Sequence, residues 1–111
     1  MALTWTEFEK VEMRVGTILE VNDFPEARKP AYQLTIDFGS DLGIRKTSAQ
    51  ITKRYQKEGL LNRQIVAVVN FPKKQIGKFM SECLVLGVVG EEGDVILLGP
   101  DCKIENGLRI G

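Results

Sequence analysis

The sequence predicts an all-β protein with short helices: a five-stranded barrel preceded by an N-terminal helix and followed by a C-terminal extension. Three observations predict it. Val11 to Val21 alternates apolar and polar residues around a central Gly16; Ile65-Val66-Ala67-Val68-Val69 is apolar without alternation; and helical spacing is confined to two short stretches. The first pattern is a strand with one wet face, and the second a strand buried on both.

At the N-terminus, Thr4-Trp5-Thr6-Glu7 and Thr6-Glu7-Phe8-Glu9 both fit a capping box, so a short helix opens the chain. Trp5 with Phe8, and Phe8 with Val11, share a face at i, i+3, which is buried against the barrel or against a partner. In the first strand Val11, Met13, Val15, Leu19 and Val21 are the apolar positions, and Glu12, Arg14, Glu20 and Asn22 the polar ones. Gly16 marks a bulge or bend, which a long first strand needs if a small barrel is to close. Phe24 to Pro30 is a loop, because Pro25 and Pro30 each remove a ladder donor.

The second strand, Ala31 to Phe38, sets Tyr32, Leu34, Ile36 and Phe38 on one face and Gln33, Thr35 and Asp37 on the other. Gly39 to Gly43 turns the chain into a polar third strand, Ile44 to Ala49, whose Arg45, Lys46, Thr47 and Ser48 offer little to a core. Gln50 to Gly59 has the spacing of an amphipathic helix, with Ile51 and Tyr55 inward. Asn62-Arg63 leads into a fourth strand, Gln64 to Asn70. An irregular cationic loop, Phe71 to Ser81, joins it to a second buried strand, Cys83 to Val89. An acidic turn at Gly90 to Asp94 precedes Val95 to Leu98. Beyond it, Cys102, Ile104, Leu108 and Ile110 add apolar positions that a finished small domain has little need of, unless they cover the open end of the barrel.

Helix, three-strand meander, helix, then two or three strands is the element order of an OB-fold, a five-stranded Greek-key barrel. Such barrels bind ligands across strands two and three and between the loops joining strands one to two and four to five. Here those loops are Phe24 to Pro30 and Phe71 to Ser81, and they carry Arg28, Lys29, Lys73, Lys74 and Lys78.

Composition narrows the function. A length of 111 residues fits one domain, and the 43% hydrophobic and 27% charged fractions are those of a globular protein. No apolar run approaches the roughly 20 residues of a membrane span, so membrane insertion is not expected, and a start without a signal pattern makes the cytoplasm the expected location. With no histidine, His-dependent triads and nearly all zinc sites are excluded. A glycine-rich phosphate loop and a nucleophile beside a base are missing too, so the expectation is a protein that is not an enzyme and needs no metal or cofactor. Cys83 and Cys102, without CxxC spacing, read as reduced thiols.

Net charge is zero, yet charge is segregated along the chain: Arg45 to Lys78 holds nine basic residues against Glu58 alone. Phosphates would be met by Arg28, Lys29, Lys46, Lys53, Arg54, Lys57, Lys73, Lys74 and Lys78, with Ser48, Asn70 and Ser81 available to bases or sugars. The outer face of the second strand has no aromatic on which a base could stack. For a polypeptide ligand, Trp5, Phe8, Phe71, Phe79 and Met80 are the candidate contacts. Phe79 and Met80, in the cationic loop, are expected to be exposed, and Phe8 to join the core.

Residues as well as pattern carry a resemblance. Arg14-Val15-Gly16, Phe24-Pro25-Glu26-Ala27-Arg28 with Pro30-Ala31, Ile36-Asp37-Phe38-Gly39, Ser48 to Tyr55, and Val68-Val69-Asn70-Phe71-Pro72 with Ser81-Glu82 together resemble the tRNA-binding domain family of OB-folds. Within that family the chain looks close, over essentially its whole length, to the CsaA-type secretion chaperones. Where the wider family tends to carry Ala-Asp-Lys this chain has Ala27-Arg28-Lys29, which places it with the CsaA group. The family's loop glycine falls where Lys78 stands, Gly77 being one position early. The resemblance implies a homodimer whose terminal segments help build the interface, a chaperone that assists export by binding unfolded or precursor polypeptides, and a capacity to bind tRNA. Its alternative implication is a tRNA-binding protein acting as an RNA structure-specific or synthetase-associated factor.

Overall fold

A computed structural model describes all of residues 1–111. Helix α1 (Trp5–Glu9) precedes β1 (Met13–Asp23) and β2 (Tyr32–Asp37); a helical turn α2 (Gly39–Leu42), β3 (Ile44–Ala49), a second turn α3 (Lys57–Leu60) and β4 (Gln64–Val68) follow. The remainder is β5 (Lys74–Ile76), β6 (Phe79–Ser81), β7 (Leu84–Val85), β8 (Gly87–Val89) and β9 (Val95–Leu97). Antiparallel pairing links five of these strands in the order β3-β2-β1-β4-β7, with β5-β6 and β8-β9 as separate hairpins.

The five-stranded sheet curls until its two ends meet. The Glu82 N–H donates to the Lys46 carbonyl at 2.8 Å, the Lys46 N–H to Glu82 Oε1 at 3.0 Å, and Thr47 Oγ1 to the Cys83 carbonyl at 2.6 Å. The result is the expected OB-like barrel, nearly closed. Its core holds Ile18, Leu34, Ile36, Phe38, Leu60 and Ile65, all fully buried. Alternation in β2 and the unbroken apolar run of β4 are both realised. The third strand gives the core more than its composition promised, because Thr47 is the one buried polar residue and its hydroxyl is satisfied by Cys83.

Several expectations are corrected. In β1 the ladder to β2 shifts between Ile18 and Glu20, so Leu19 is the extra residue of a bulge and is exposed, while Ile18 faces the core. The bulge thus sits beyond Gly16, which serves close packing instead: a Cβ there would lie 2.7 Å from both Ile36 and the Phe38 ring. Gln50 to Gly59 is not one helix. A single helical bond, Tyr55 N–H to the Ile51 carbonyl at 3.2 Å, is all that forms before the chain extends at Gln56. Tertiary bonds fix Tyr55 instead, its carbonyl accepting from Tyr32 Oη at 2.8 Å and its hydroxyl from the Leu97 N–H at 3.0 Å. Ile51 and Tyr55 still point inward as predicted.

Phe71 to Ser81 is largely regular, since β5 and β6 form a hairpin whose two-residue turn is Gly77-Lys78. Gly77 takes the positive φ of +62°, so the turn forms with glycine one position early. Cys83 to Val89, finally, is not a single buried strand. It breaks at Leu86, which bonds to Val66 and Leu98, and leaves Val88 and Val89 exposed.

The termini lie on the barrel. Thr4 and Glu7 form the predicted capping box, and chiefly the Thr4 N–H holds the Glu7 carboxyl below its ordinary range. None of the α1 residues is buried, so Phe8, half-exposed, stays outside the core. The C-terminal tail runs along β1 where β2 has departed. The Val15 N–H donates to the Leu108 carbonyl, the Gly107 N–H to that of Val15, and the Ile110 N–H to that of Met13. Ile104 and Leu108 keep exposed side chains.

Cys83 is buried, and burial pushes its thiol pKa up to about 12, whereas Cys102 is exposed. Only the thiolate reacts. A thiol reagent at neutral pH should therefore titrate one equivalent in the native protein and a second only in denaturant. Two fast equivalents under native conditions would contradict the placement of Cys83.

Candidate nucleic-acid and polypeptide interface

Phe24 fixes the relation between the two loops expected to meet a ligand. Buried at the head of the first loop, it sets its ring 5.2 Å from that of Phe79 with a tilt of 55°. Arg28 and Lys29 lie on the loop thus anchored, and Lys74 and Lys78 on the hairpin that carries Phe79. Phe79 is half-buried by this contact, so the exposed apolar side chains of the segment are Phe71 and Met80. Trp5, on α1, is more exposed than either.

The predicted basic residues divide into two sets. Arg54 grips both oxygens of Asp94 at 2.8 and 2.7 Å, Lys57 meets Asp23 at 2.9 Å, Lys73 lies 3.5 Å from Glu82, and Lys53 donates to the Glu92 carbonyl at 3.2 Å. The Arg54 hydrogen bonds hold the Asp94 carboxyl below its ordinary range. A carboxyl with a lowered folded pKa keeps its pairing above the ordinary value and loses it as pH falls through the lowered one, so at neutral pH Arg54 is compensated. Arg28, Lys29, Lys46, Lys74 and Lys78 form no salt bridge. Those five are the predicted cations without a partner in the chain.

The polar candidates are also unevenly free. Asn70 spends its amide on the N-terminal segment: Oδ1 accepts from the Glu12 N–H at 3.0 Å and Nδ2 donates to the Lys10 carbonyl at 2.6 Å. Ser81 Oγ lies 3.0 Å from Thr47 Oγ1, within the barrel closure. Ser48 makes no side-chain hydrogen bond and is half-buried on β3, opposite Gln33. Asn70→Ala should thus lower stability by about 1 kcal/mol through the loss of two exposed hydrogen bonds. Urea midpoints measured beside RNA affinity check this, and an affinity loss without a midpoint shift would return Asn70 to the ligand side.

Between β3 and the segment Ser81 to Gly87 lies a groove of about 490 Å³, lined by Ser48, Ala49, Ile76, Leu84, Val85 and Val89 among others. Lys74 is its only charged lining residue. This groove and the exposed Val88, Val89, Ile96 and Leu98 of the β8-β9 hairpin were missed from sequence, because an unbroken apolar run reads as buried. Gly87, where a Cβ would come within 2.6 Å of Val95 Cγ1, was the available signal that the run is interrupted.

Comparison with known proteins agrees with this architecture. Residues 13–109 match the family model described as "Putative tRNA binding domain". The chain is 50% identical to the chaperone CsaA from Bacillus anthracis, whose crystal structure superposes with a TM-score of 0.94 and full coverage of both chains. It is 51% identical to the CsaA chaperone protein from Picrophilus torridus, at TM-score 0.92 and covering 99% of this chain and 100% of that one. Among curated relatives, the methionine–tRNA ligase of Pyrococcus furiosus is 35% identical over 109 residues, 97% of this chain but 14% of the ligase. The match to the family model runs from the first strand into the C-terminal tail, and the chain belongs to the tRNA-binding domain family.

Proposed function

We propose that the chain is a CsaA-like chaperone that binds unfolded or precursor polypeptides for export in the cytoplasm, works as a homodimer, and binds tRNA as a second ligand. The observation that carries the reading is the end-to-end likeness to the CsaA chaperone at 50% identity, covering all of both chains. Exposed Phe71 and Met80 support it as polypeptide contacts. Exposed Trp5, Val89, Ile96 and Leu108 at the termini and the β8-β9 hairpin support a dimer as apolar side chains that a second copy would cover. The protein should slow aggregation of a chemically unfolded substrate, and Phe71→Ser with Met80→Ser should weaken that effect. Aggregation at the same rate with and without the wild-type protein would end the chaperone reading. Sedimentation at micromolar concentration should give a dimer mass, and a clean monomer contradicts the dimer.

A second reading, an RNA structure-specific or synthetase-associated tRNA-binding factor, is favoured by the match to the ligase segment and by the five unpaired cations. It predicts tight tRNA binding without any effect on aggregation.

A further inference from the structure

A cleft of about 700 Å³ lies where the chain leaves β9 and crosses the start of β4, and none of the residues expected to meet RNA or polypeptide lines it. Gln64 builds it. At Gly99 the chain passes so close that a Cβ would lie 2.6 Å from the Gln64 carbonyl oxygen, and at Ile104 it is bonded to the Gln64 side chain, whose Nε2 donates to the Ile104 carbonyl at 2.6 Å and whose Oε1 accepts from the Ile104 N–H at 3.0 Å. Pro100 to Lys103 therefore form a rim pinned at both ends to one residue. A second anchor is Asn106, whose Oδ1 accepts from Thr17 Oγ1 at 2.8 Å and from Gln64 Nε2 at 3.0 Å.

Four charged side chains line the cleft, Arg63 and Lys103 against Asp37 and Asp101. None of them forms a salt bridge, with each other or with any other residue. The Arg63 guanidinium makes no hydrogen bond in the chain, yet it is held, because it lies 5.2 Å over the ring of Tyr55, itself fixed by the Leu97 N–H and the Tyr32 hydroxyl. Asp101 accepts only the Cys102 S–H, at 3.5 Å, and Asp37 keeps one oxygen free after accepting from the Gly39 N–H at 2.9 Å. Charge selects the class of ligand. A simple anion on Arg63 would also face two carboxylates, and a simple cation on those carboxylates would face Arg63 and Lys103, whereas a molecule carrying both signs complements all four. We infer that this cleft binds a small zwitterion, an α-amino acid or short peptide with free ends, its carboxylate on Arg63 and Lys103 and its ammonium on Asp37 and Asp101. The volume is that of a small-molecule site, and a planar guanidinium held on an aromatic ring suits a carboxylate through two parallel bonds. The inference goes beyond the polypeptide and RNA readings and rests on neither.

The test screens the free amino acids and the glycyl dipeptides against the whole protein by saturation-transfer NMR and measures those that bind by titration calorimetry. N-acetylation and C-terminal amidation of a binding compound should each weaken it about tenfold. Arg63→Gln should weaken the free compound by a similar factor and leave its amide nearly unchanged, while Asp37→Asn with Asp101→Asn should weaken the free compound and leave its N-acetyl form. Arg63 and Asp101 are exposed, and an Asn at 37 keeps an oxygen for the Gly39 N–H, so the fold should survive. One readout needs no variant: Cys102 also lines the cleft, so the bound compound should slow its reaction with a thiol reagent severalfold. Capped and free forms of equal affinity, or losses that do not follow the matching cap, overturn the assignment of the charges. Inorganic phosphate binding as tightly as the dipeptides would make this an anion site and overturn the proposal, as would the absence of any compound with a Kd below about 1 mM.

Discussion

Substituting Arg28, Lys29, Lys46, Lys74 and Lys78 together with glutamine should flatten the salt dependence of the proposed tRNA binding. Substituting Lys53, Arg54, Lys57 and Lys73 with glutamine should change it much less. The two variants remove similar charge, five and four units, so bulk attraction alone would make them nearly equivalent. Geometry separates them. Arg54, Lys57 and Lys73 are paired with Asp94, Asp23 and Glu82, Lys53 is tied to the Glu92 carbonyl, and a cation paired with an acid releases few counterions when it meets a phosphate. Each phosphate neutralised contributes about 0.7 to 0.9 to the slope of log affinity against log salt, so losing five contacts removes about 4. Across a fourfold range of salt that is about two orders of magnitude in affinity. Binding curves at four or more salt concentrations check the result, and equal slopes for the two variants would mean that net charge, not this surface, attracts the RNA.

That division could not be read from the sequence, and the reason is distance along the chain. Lys53 to Lys57 look like one basic helix face, yet Arg54 is paired with an acid forty residues later and Lys57 with one thirty-four residues earlier. Charge runs show where cations are, whereas compensation depends on which turns the barrel brings beside them. Local patterns fared better where burial enforces a period. The alternation running through β2 into Phe38 places Leu34, Ile36 and Phe38 in the core, and Ile65 to Val69 are all buried, the first four of them in β4. In β1 the period was visible but its phase was not, because one extra residue at Leu19 moves Ile18 inward. Tyr55 shows the opposite failure: its spacing with Ile51 is helical, but two long-range hydrogen bonds outweigh the weak preference of a short helix. As for the two loops expected to meet a ligand, their places followed from element order, but the regularity of the second, in the hairpin pairing of Lys74 to Ile76 with Phe79 to Ser81, did not.

Gly107→Ala should cost about 2 to 4 kcal/mol, against about 1 kcal/mol for Gly77→Ala. Both glycines have positive φ, +92° and +62°, so each substitution pays a similar left-handed strain. Their surroundings differ. A Cβ at Gly77 meets nothing within 4 Å, but at Gly107 it would lie within van der Waals overlap of the Phe38 carbonyl oxygen. Neither backbone can yield easily, because Phe38 ends the inward face of β2 and the Gly107 N–H is bonded to Val15 at 2.7 Å. The tail must lift, which breaks its three hydrogen bonds to β1 and the bond from Arg14 Nη1 to the Gly107 carbonyl at 2.8 Å. Lifting also sets the upper bound, since the substitution can cost no more than the tail's contacts once the tail is free. Chemical denaturation gives the two costs, and exchange of the Val15 amide, bonded to Leu108, reports whether the tail has detached. Because Ile104 and Leu108 ride on that tail with exposed side chains, its release should weaken the proposed dimer as well, so Gly107→Ala should lower the sedimentation mass at concentrations where Gly77→Ala remains dimeric. Equal costs for the two substitutions would mean that the tail is not held against Phe38.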